Sequence, residues 1–568
     1  MASLPKIFPI LCVAFILTGC GGGSSQIIDP SIVLAQPSST TVAAGSTLQL
    51  HATISNSNNT TVLWFVDSLP GGSSTLGTIS PQGVYTAPDV PPPGGSVTIS
   101  AAPQAFPVAV TGITINIAFA NVSLSGNYVL TLNGTQGGGP WAVTGTFTAD
   151  GNGMITNGIE DINGPAGIFQ GLAFNGSYVI NPNGQGVATF TSSQGSVNVS
   201  LTLDSQGQAG IMRTDANTVA TGSLFLQSPA ALSLTTLNAA YVFGFTGNDQ
   251  SGKTLSIIGQ FTTNGSSTLA SAEEDVNDGG SASNQPFSGS YTIGANGRGT
   301  ATFTDSAGTR SYNFYIVSPG QLQFIETDSS GHLSGGAYQQ QNVTSTTTLT
   351  ASFAFFVAGT DGSSAYGAAG DFTPSVSTSG TLSSGTEDIN NGGSIAASVA
   401  LTGNFTNGAA GRGKLTLSGA AGTANYVFYL ITPGIALLMT TDSGINASGQ
   451  MFVQSGGFST GALNGYYGLT LASPAGIASP SAAVGTFFLN TAGSLTGSEI
   501  ENNNGTLSGT LSVSGTYSFS GAALRGQATF TTNGGTSTNF AYYPISNSSV
   551  ILLGESGSPV VGTLSEQF

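Results

Sequence analysis

The chain has 568 residues, only 6% of them charged, and 83 Gly and 24 Pro punctuate it. Globular chains average roughly 25% charged residues, so long salt-bridged helices are excluded, while 39% hydrophobic content is too high for a disordered polymer. Eight Lys and Arg against 25 Asp and Glu, a formal charge of −17, leave no cationic surface for nucleic acid or for anionic lipid headgroups.

The first element in chain order is an address. Lys6 precedes an apolar run from Ile7 to Leu17, and Leu17-Thr18-Gly19-Cys20 stands where a cleavage site belongs. These residues resemble the bacterial lipobox. The resemblance implies that residues 1–19 are a lipoprotein signal peptide and that Cys20 is acylated, making the membrane a partner through that cysteine. Gly21 is not the Asp that retains lipoproteins on the inner membrane in many Gram-negative bacteria, so the resemblance also implies an outer-membrane or cell-surface location. Cys12 lies in the removed segment, which leaves Cys20 alone and no disulfide. Residues 20–30, opening on Gly21-Gly22-Gly23-Ser24-Ser25, read as a flexible tether.

Residues 31–120 contain short alternating runs separated by Gly and Pro, among them Val62-Leu63-Trp64-Phe65-Val66 and Val97-Thr98-Ile99-Ser100-Ala101. Such runs predict a β-sandwich with Trp64 in its core. With Gly77-Thr78-Ile79-Ser80 and Gly83-Val84-Tyr85-Thr86-Ala87-Pro88, the segment resembles bacterial Ig-like domains of adhesins and surface proteins, which implies a spacer or adhesive module.

From residue 122 the chain repeats itself. Tyr128, Tyr241, Phe353 and Tyr467 follow the same leucine motif at spacings of 113, 112 and 114 residues. Phe147, Phe261, Phe372 and Phe487 keep step, as do Tyr178, Tyr291, Phe405 and Tyr517, and each unit closes at Gln227, Gln341, Gln454 or Gln567. The copies span 122–229, 236–341, 347–456 and 461–568. Each divides into eight short strands joined by turns too short for parallel crossovers. An eight-strand meander removes its edges by closing, so each copy is expected to be an up-and-down barrel of the avidin and lipocalin architecture. A β-propeller of four-strand blades is the rival topology. Aromatics such as Tyr291, Phe303 and Phe314 are expected to fill each interior, a small ligand in the lumen being the alternative.

Catalytic residues are not in sight. His51 and His332 are the two histidines and occupy no equivalent positions, so a nucleophile–base relay is excluded from the repeats. One acidic motif does recur: Glu160-Asp161-Ile162-Asn163, Glu274-Asp275-Val276-Asn277, Glu387-Asp388-Ile389-Asn390, and a divergent Glu499-Ile500-Glu501-Asn502. A second acidic position follows the seventh strand at Asp215, Asp328, Asp442 and Glu555. Turns after odd-numbered strands share one end of a meander, so both positions fall at one mouth of each barrel. They are candidates for a Ca²⁺ site, although two or three oxygens fall short of that ion's usual six, and turn chemistry is the favoured reading. Arg298, Arg412 and Arg525, with Gln185 in the first copy, lie in the turn between strands four and five. They are expected to close the barrel floor by bonding turn carbonyls.

The reading is a lipid-anchored surface protein with a non-enzymatic adhesive or structural role, its partners glycans or neighbouring surface proteins. The alternative is a small-ligand- or glycan-binding protein using barrel lumens or mouths. A polysaccharide hydrolase comes third, and would require a cleft with two close carboxylates in one copy only.

Overall fold

A computed structural model describes residues 29–228, 232–344, 347–375, 377–474, 477, 479–520 and 524–568. The expected signal peptide, Cys20 and all but the last two residues of the expected tether lie outside the described residues. The chain is all-β, and among the described residues helical content is confined to single 3₁₀ turns.

A sandwich comes first. Thr41–Ala43, Thr111–Ala118, Ser96–Pro103, Val62–Val66 and Leu69–Pro70 form one sheet, and Thr47–Gln49, Val84–Thr86, Gly77–Ile79 and Gly72–Ser73 form the other. Trp64, Ile99 and Ile115 from the first sheet meet Ile79 and Tyr85 from the second in one core, as alternating half-buried strands require.

Four eight-stranded antiparallel barrels follow. In the first, Ser125–Gln136 pairs with Gly139–Asp150 on one side and with the eighth strand, Thr218–Leu226, on the other, which shuts the sheet. The fourth closes likewise between Gly465–Ala472 and Val561–Glu566. In the second and third barrels the fourth strand is broken, at Phe287 and at Leu401. Closure there runs through a Thr268–Ser290 bridge and through the pairing of Ser379–Asn391 with both halves. Pro286 ends the first half of the broken strand in the second barrel, where a residue without an N–H cannot extend the ladder. Closed barrels exclude the propeller.

Each barrel has its own filled core. Tyr128, Phe147, Phe174 and Phe190 pack in the first, and Phe243, Phe261, Phe303 and Phe324 in the second. Hydroxyl ties explain the repeated tyrosines. Tyr178, Tyr291 and Tyr517 donate to the carbonyls of Leu124, Leu237 and Leu463, while Tyr128, Tyr241 and Tyr467 donate to Gly207, Pro319 and Asn547. The third copy carries Phe353 and Phe405 at these two places and lacks both ties.

The barrels do not follow one another like beads. Strands one to three of each lean on strands six to eight of the next, and those of the fourth lean on the first. An apolar seam marks every junction: Val129 with Tyr315 and Val317, Val242 and Ile258 with Tyr429 and Leu437, Ala354 and Ala369 with Tyr543 and Leu553, and Ala482 and Val484 with Met212 and Val219. This is a head-to-tail contact whose rotation closes after four steps, within a single chain. Where the first strands converge lies a cavity of about 280 Å³, touched by residues of all four barrels, Thr135, Ser256, Asn446 and Ser481 among them.

The sandwich is seated on the ring. Phe119 enters the core of the first barrel and its N–H donates to Pro182 O, in the turn between strands four and five. Its ring lies 5.3 Å from that of Phe568, which lies 5.0 Å from Tyr466.

Candidate functional site

The acidic motif ends the third strand of each barrel, and the two-residue alternation of a strand divides its labour. Glu160 lines the mouth of the first barrel with Ile162, whereas Asp161 and Asn163 point at the second barrel. Asp161 accepts from Arg298 Nη2 at 2.8 Å and Nε at 2.9 Å, from the Tyr315 hydroxyl at 2.6 Å, and from Gly171 N–H at 2.7 Å. Asp275 repeats this with Arg412 at 2.7 Å through both nitrogens and Tyr429 at 2.7 Å. Asp388 does so with Arg525 at 2.6 and 2.8 Å and with Tyr543. Bidentate guanidinium–carboxylate pairing is directional as well as strong, so it fixes the register of one barrel on the next.

The asparagine completes the staple. Asn163 Nδ2 donates to Glu326 O and Gly331 O, Asn277 to Thr440 O and Ile445 O, Asn390 to Gly554 O and Gly557 O, and Asn502 to Arg213 O and Thr218 O. Each asparagine sits at the mouth end of its barrel and reaches the mouth-end turn of its neighbour, so all four mouths open on one side of the ring. Near the other end, Gln227, Gln340, Gln454 and Gln567 donate to Ile316 O, Leu430 O, Pro544 O and Leu203 O of the following barrel. In the second copy this residue is Gln340, one before the Gln341 expected from spacing.

The arginines therefore do not close barrel floors. Each takes a carboxylate partner from the preceding copy, because the barrels stand side by side and the outer face of a strand is what meets a neighbour. The glycines around them answer to geometry. Gly184, Gly297 and Gly411 hold φ of +81°, +73° and +83°, a region costly for side chains. A Cβ on Gly299 or Gly413 would lie 2.3 or 2.1 Å from the ring of Phe314 or Phe428.

At the junction that closes the ring, the charged set is exchanged as a whole. Gln185 stands for arginine, Thr202 for tyrosine and Ile500 for aspartate. Gln185 Nε2 donates to Ser498 O at 3.0 Å, and Ile500 packs on the seam of Met212 and Val219.

The second acidic position is turn chemistry. Asp215 accepts from Asn198 N–H and Nδ2, Asp442 from the same groups of Asn425, and Asp328 from Ser311 N–H. Glu555 does not belong to this set. Its N–H bonds Asn539 O just as Thr214, Thr327 and Thr441 bond Asn198, Ser311 and Asn425, so Ser556 is the equivalent residue and Glu555 pairs with Arg525 at 2.6 Å. The candidate Ca²⁺ ligands are not brought together: Asp161, Asp275 and Asp388 face the neighbouring barrels, away from the mouths. Among the described residues no three His, Cys, Asp or Glu side chains gather.

What does remain at each mouth is the inward glutamate. Glu160, Glu274, Glu387 and Glu499 are all buried, and burial raises the carboxyl of each, to about 8 for Glu274, about 7 for Glu387 and about 8 for Glu499. The surroundings differ. In the first barrel Arg213, 4.3 Å over the Trp141 ring, lends Glu160 a positive neighbour. In the second, Gln285 donates to Glu274 at 3.1 Å, and Arg310, 2.8 Å from Asp305, acts on it too. In the third, the buried Tyr366 and Tyr426 adjoin Glu387. The fourth instead holds a cavity of about 390 Å³ with two carboxylates, Glu499 and Glu501, in contact with one another. The cleft required of a hydrolase is thus present in one copy. Its carboxylates adjoin, however, whereas a retaining glycosidase keeps about 5–5.5 Å between them.

No family model matches the chain, and no curated protein matches it. Among solved structures, a double mutant of transferrin binding protein B from Haemophilus parasuis Hp5 overlaps 63% of this chain and 82% of its own, at 10% identity and a TM-score of 0.16. A single mutant of the same protein overlaps 63% and 81%, at 12% identity and a TM-score of 0.17. Such scores mark no common overall arrangement.

Proposed function

We propose that this chain is a lipid-anchored, non-enzymatic protein of the bacterial cell surface whose ring of barrels serves as a rigid adhesive or structural platform. The observation that carries the reading is the ring itself: four barrels with packed cores, three of their four junctions locked by an ion pair, with all their mouths on one side. The sandwich docks beside the turn between strands four and five, at the opposite end of the first barrel. An anchor at Cys20 would then hold the mouths away from the membrane. The Ig-like resemblance of residues 31–120 supports a spacer role, and the near absence of charge beside abundant Ser, Thr and Asn suits glycans or neighbouring surface proteins as partners.

Metabolic labelling with an alkynyl fatty acid, followed by protease treatment of intact cells, tests this. The chain is expected to carry the label, to lose it and enter the medium as Cys20→Ala, and to be cleaved on sealed cells. Absence of label, or full protection from protease, overturns the reading. Ligand binding in a barrel mouth is the second reading, and the cavity of about 390 Å³ in the fourth barrel favours it.

A further inference from the structure

We propose that the mouth of the fourth barrel is a binding site for a small organic cation, a ligand that presents an ammonium or guanidinium group to Glu499 and Glu501. This goes beyond the surface role above, which needs no ligand.

The repeats supply their own control. Registers place Trp141, Leu255, Tyr366 and Ser481 at one position of the second strand, and Ile162, Val276, Ile389 and Glu501 at one position of the third. They place Arg213, Glu326, Thr440 and Gly554 together at the end of the seventh, opposite Val199, Tyr312, Tyr426 and Phe540. In the fourth copy a large side chain has become serine, an apolar one a carboxylate, and a long or branched one glycine. Three exchanges at one rim empty it; beside the first and third copies they add an acid, and beside the second they trade Glu326 for Glu501.

The missing component is a cation. In the first two barrels a guanidinium of the same chain, from Arg213 or Arg310, acts on the buried glutamate. In the fourth, no Lys or Arg lines the cavity. Glu499 is 5% exposed, and the side-chain hydrogen bond it makes runs to a second acid, Glu501, not to a cation. A buried acid whose partner is another acid is costly to ionise unless a cation joins them, and the space beside the pair is lined by Thr532, Thr538, Ser556 and Asn503 together with Phe530 and Phe540. Hydroxyls can take the remaining N–H donors of an ammonium or guanidinium, and aromatic faces favour such a group over a neutral one. The volume of about 390 Å³ falls within the range of small-molecule sites.

Titration calorimetry on the chain from Gln26 onward tests the site, with agmatine, cadaverine and glucosamine as cationic probes and glucose and Ca²⁺ as comparisons. At least one cationic probe is expected to bind once per chain, with glucosamine compared at pH 6.5, where its amine is protonated, and agmatine or cadaverine, which keep their charge, bound more tightly as pH rises from 6.5 to 9. Glu499, held up near 8 by burial and by Glu501, the one titratable group acting on it, gives up its proton to the incoming charge over that interval. Glu501→Ile, which restores the side chain of the first and third copies, should weaken binding at least about tenfold. Ser481→Tyr, which restores that of the third, should block it by filling the space while leaving both carboxylates in place. Thermal melts of both variants check that the ring is intact. Silence of all three cationic probes overturns the proposal. So does unchanged affinity in both variants, glucose binding as tightly as glucosamine, or Ca²⁺ binding where the organic cations do not.

Discussion

Asp388 is 1% exposed, and Arg525 and Tyr543 both donate to it. Removing one partner of a buried ion pair strands the other, at a cost of about 3–5 kcal/mol. Asp388→Ala should therefore destabilise the chain by that order in chemical denaturation. The same junction rebuilt as the protein builds its closing one, with Asp388→Ile, Arg525→Gln, Tyr543→Thr and, because Glu555 also pairs with Arg525, Glu555→Thr together, should recover most of the loss, since buried ion pairs exchange for packed neutral sets at little net cost. A quadruple variant no better than the single would show that the charged staple and its neutral counterpart are not equivalent solutions. The inward glutamates give a pH dependence of opposite sense to ordinary carboxylates. Glu274, Glu387 and Glu499 hold their protons to about 8, 7 and 8 in the folded chain, while an unfolded glutamate releases its own near 4.3. Between those values the folded state binds more protons, so stability is greatest below about pH 4.5 and declines as pH rises through 8. Melting midpoints should fall from pH 5 to pH 9, and Glu274→Gln should flatten the decline; a midpoint that rises instead would remove the burial account.

The strands show where sequence reasoning succeeds. Gln527-Ala528-Thr529-Phe530-Thr531 alternates, and Ala528 and Phe530 lie in the core as alternation demands. Repeat spacing located all four copies, since identical markers do identical structural work, down to the tyrosine ties. The side walls were harder. Tyr426-Val427-Phe428-Tyr429-Leu430 and Phe540-Ala541-Tyr542-Tyr543 are unbroken apolar runs in which both faces are buried, one in a barrel and one in a seam. Continuous rather than alternating hydrophobicity is the mark of a strand covered on both sides, and it was the available clue that each barrel has neighbours. The acidic motif was legible as a repeated feature but not as a staple. Asp161 meets Arg298 across 137 residues, a pairing that turn and motif rules, being local, do not reach. Glu501 was visible only as a departure from the repeat; its meaning depends on Ser481 and Gly554 arriving at the same rim.

At the scale of the molecule, sequential neighbours and spatial neighbours nearly coincide, with one exception. The first and fourth barrels are most distant in the chain yet meet through Asn502, Gln567 and the Met212 seam as the others do. That junction also receives the sandwich, through Phe119, Phe568 and Tyr466. Three junctions carry a covalent linker and an ion pair, and the fourth carries neither.

The break in the polypeptide is therefore a matter of where the circle was cut. With the rings of Phe119 and Phe568 packed 5.3 Å apart, a short peptide joining residue 568 to residue 121, and new ends opened between the second and third barrels near residue 344, should yield a circular permutant. Scattering from it should match the parent ring of barrels, because the same staples meet in the same order whichever seam lacks a connecting peptide.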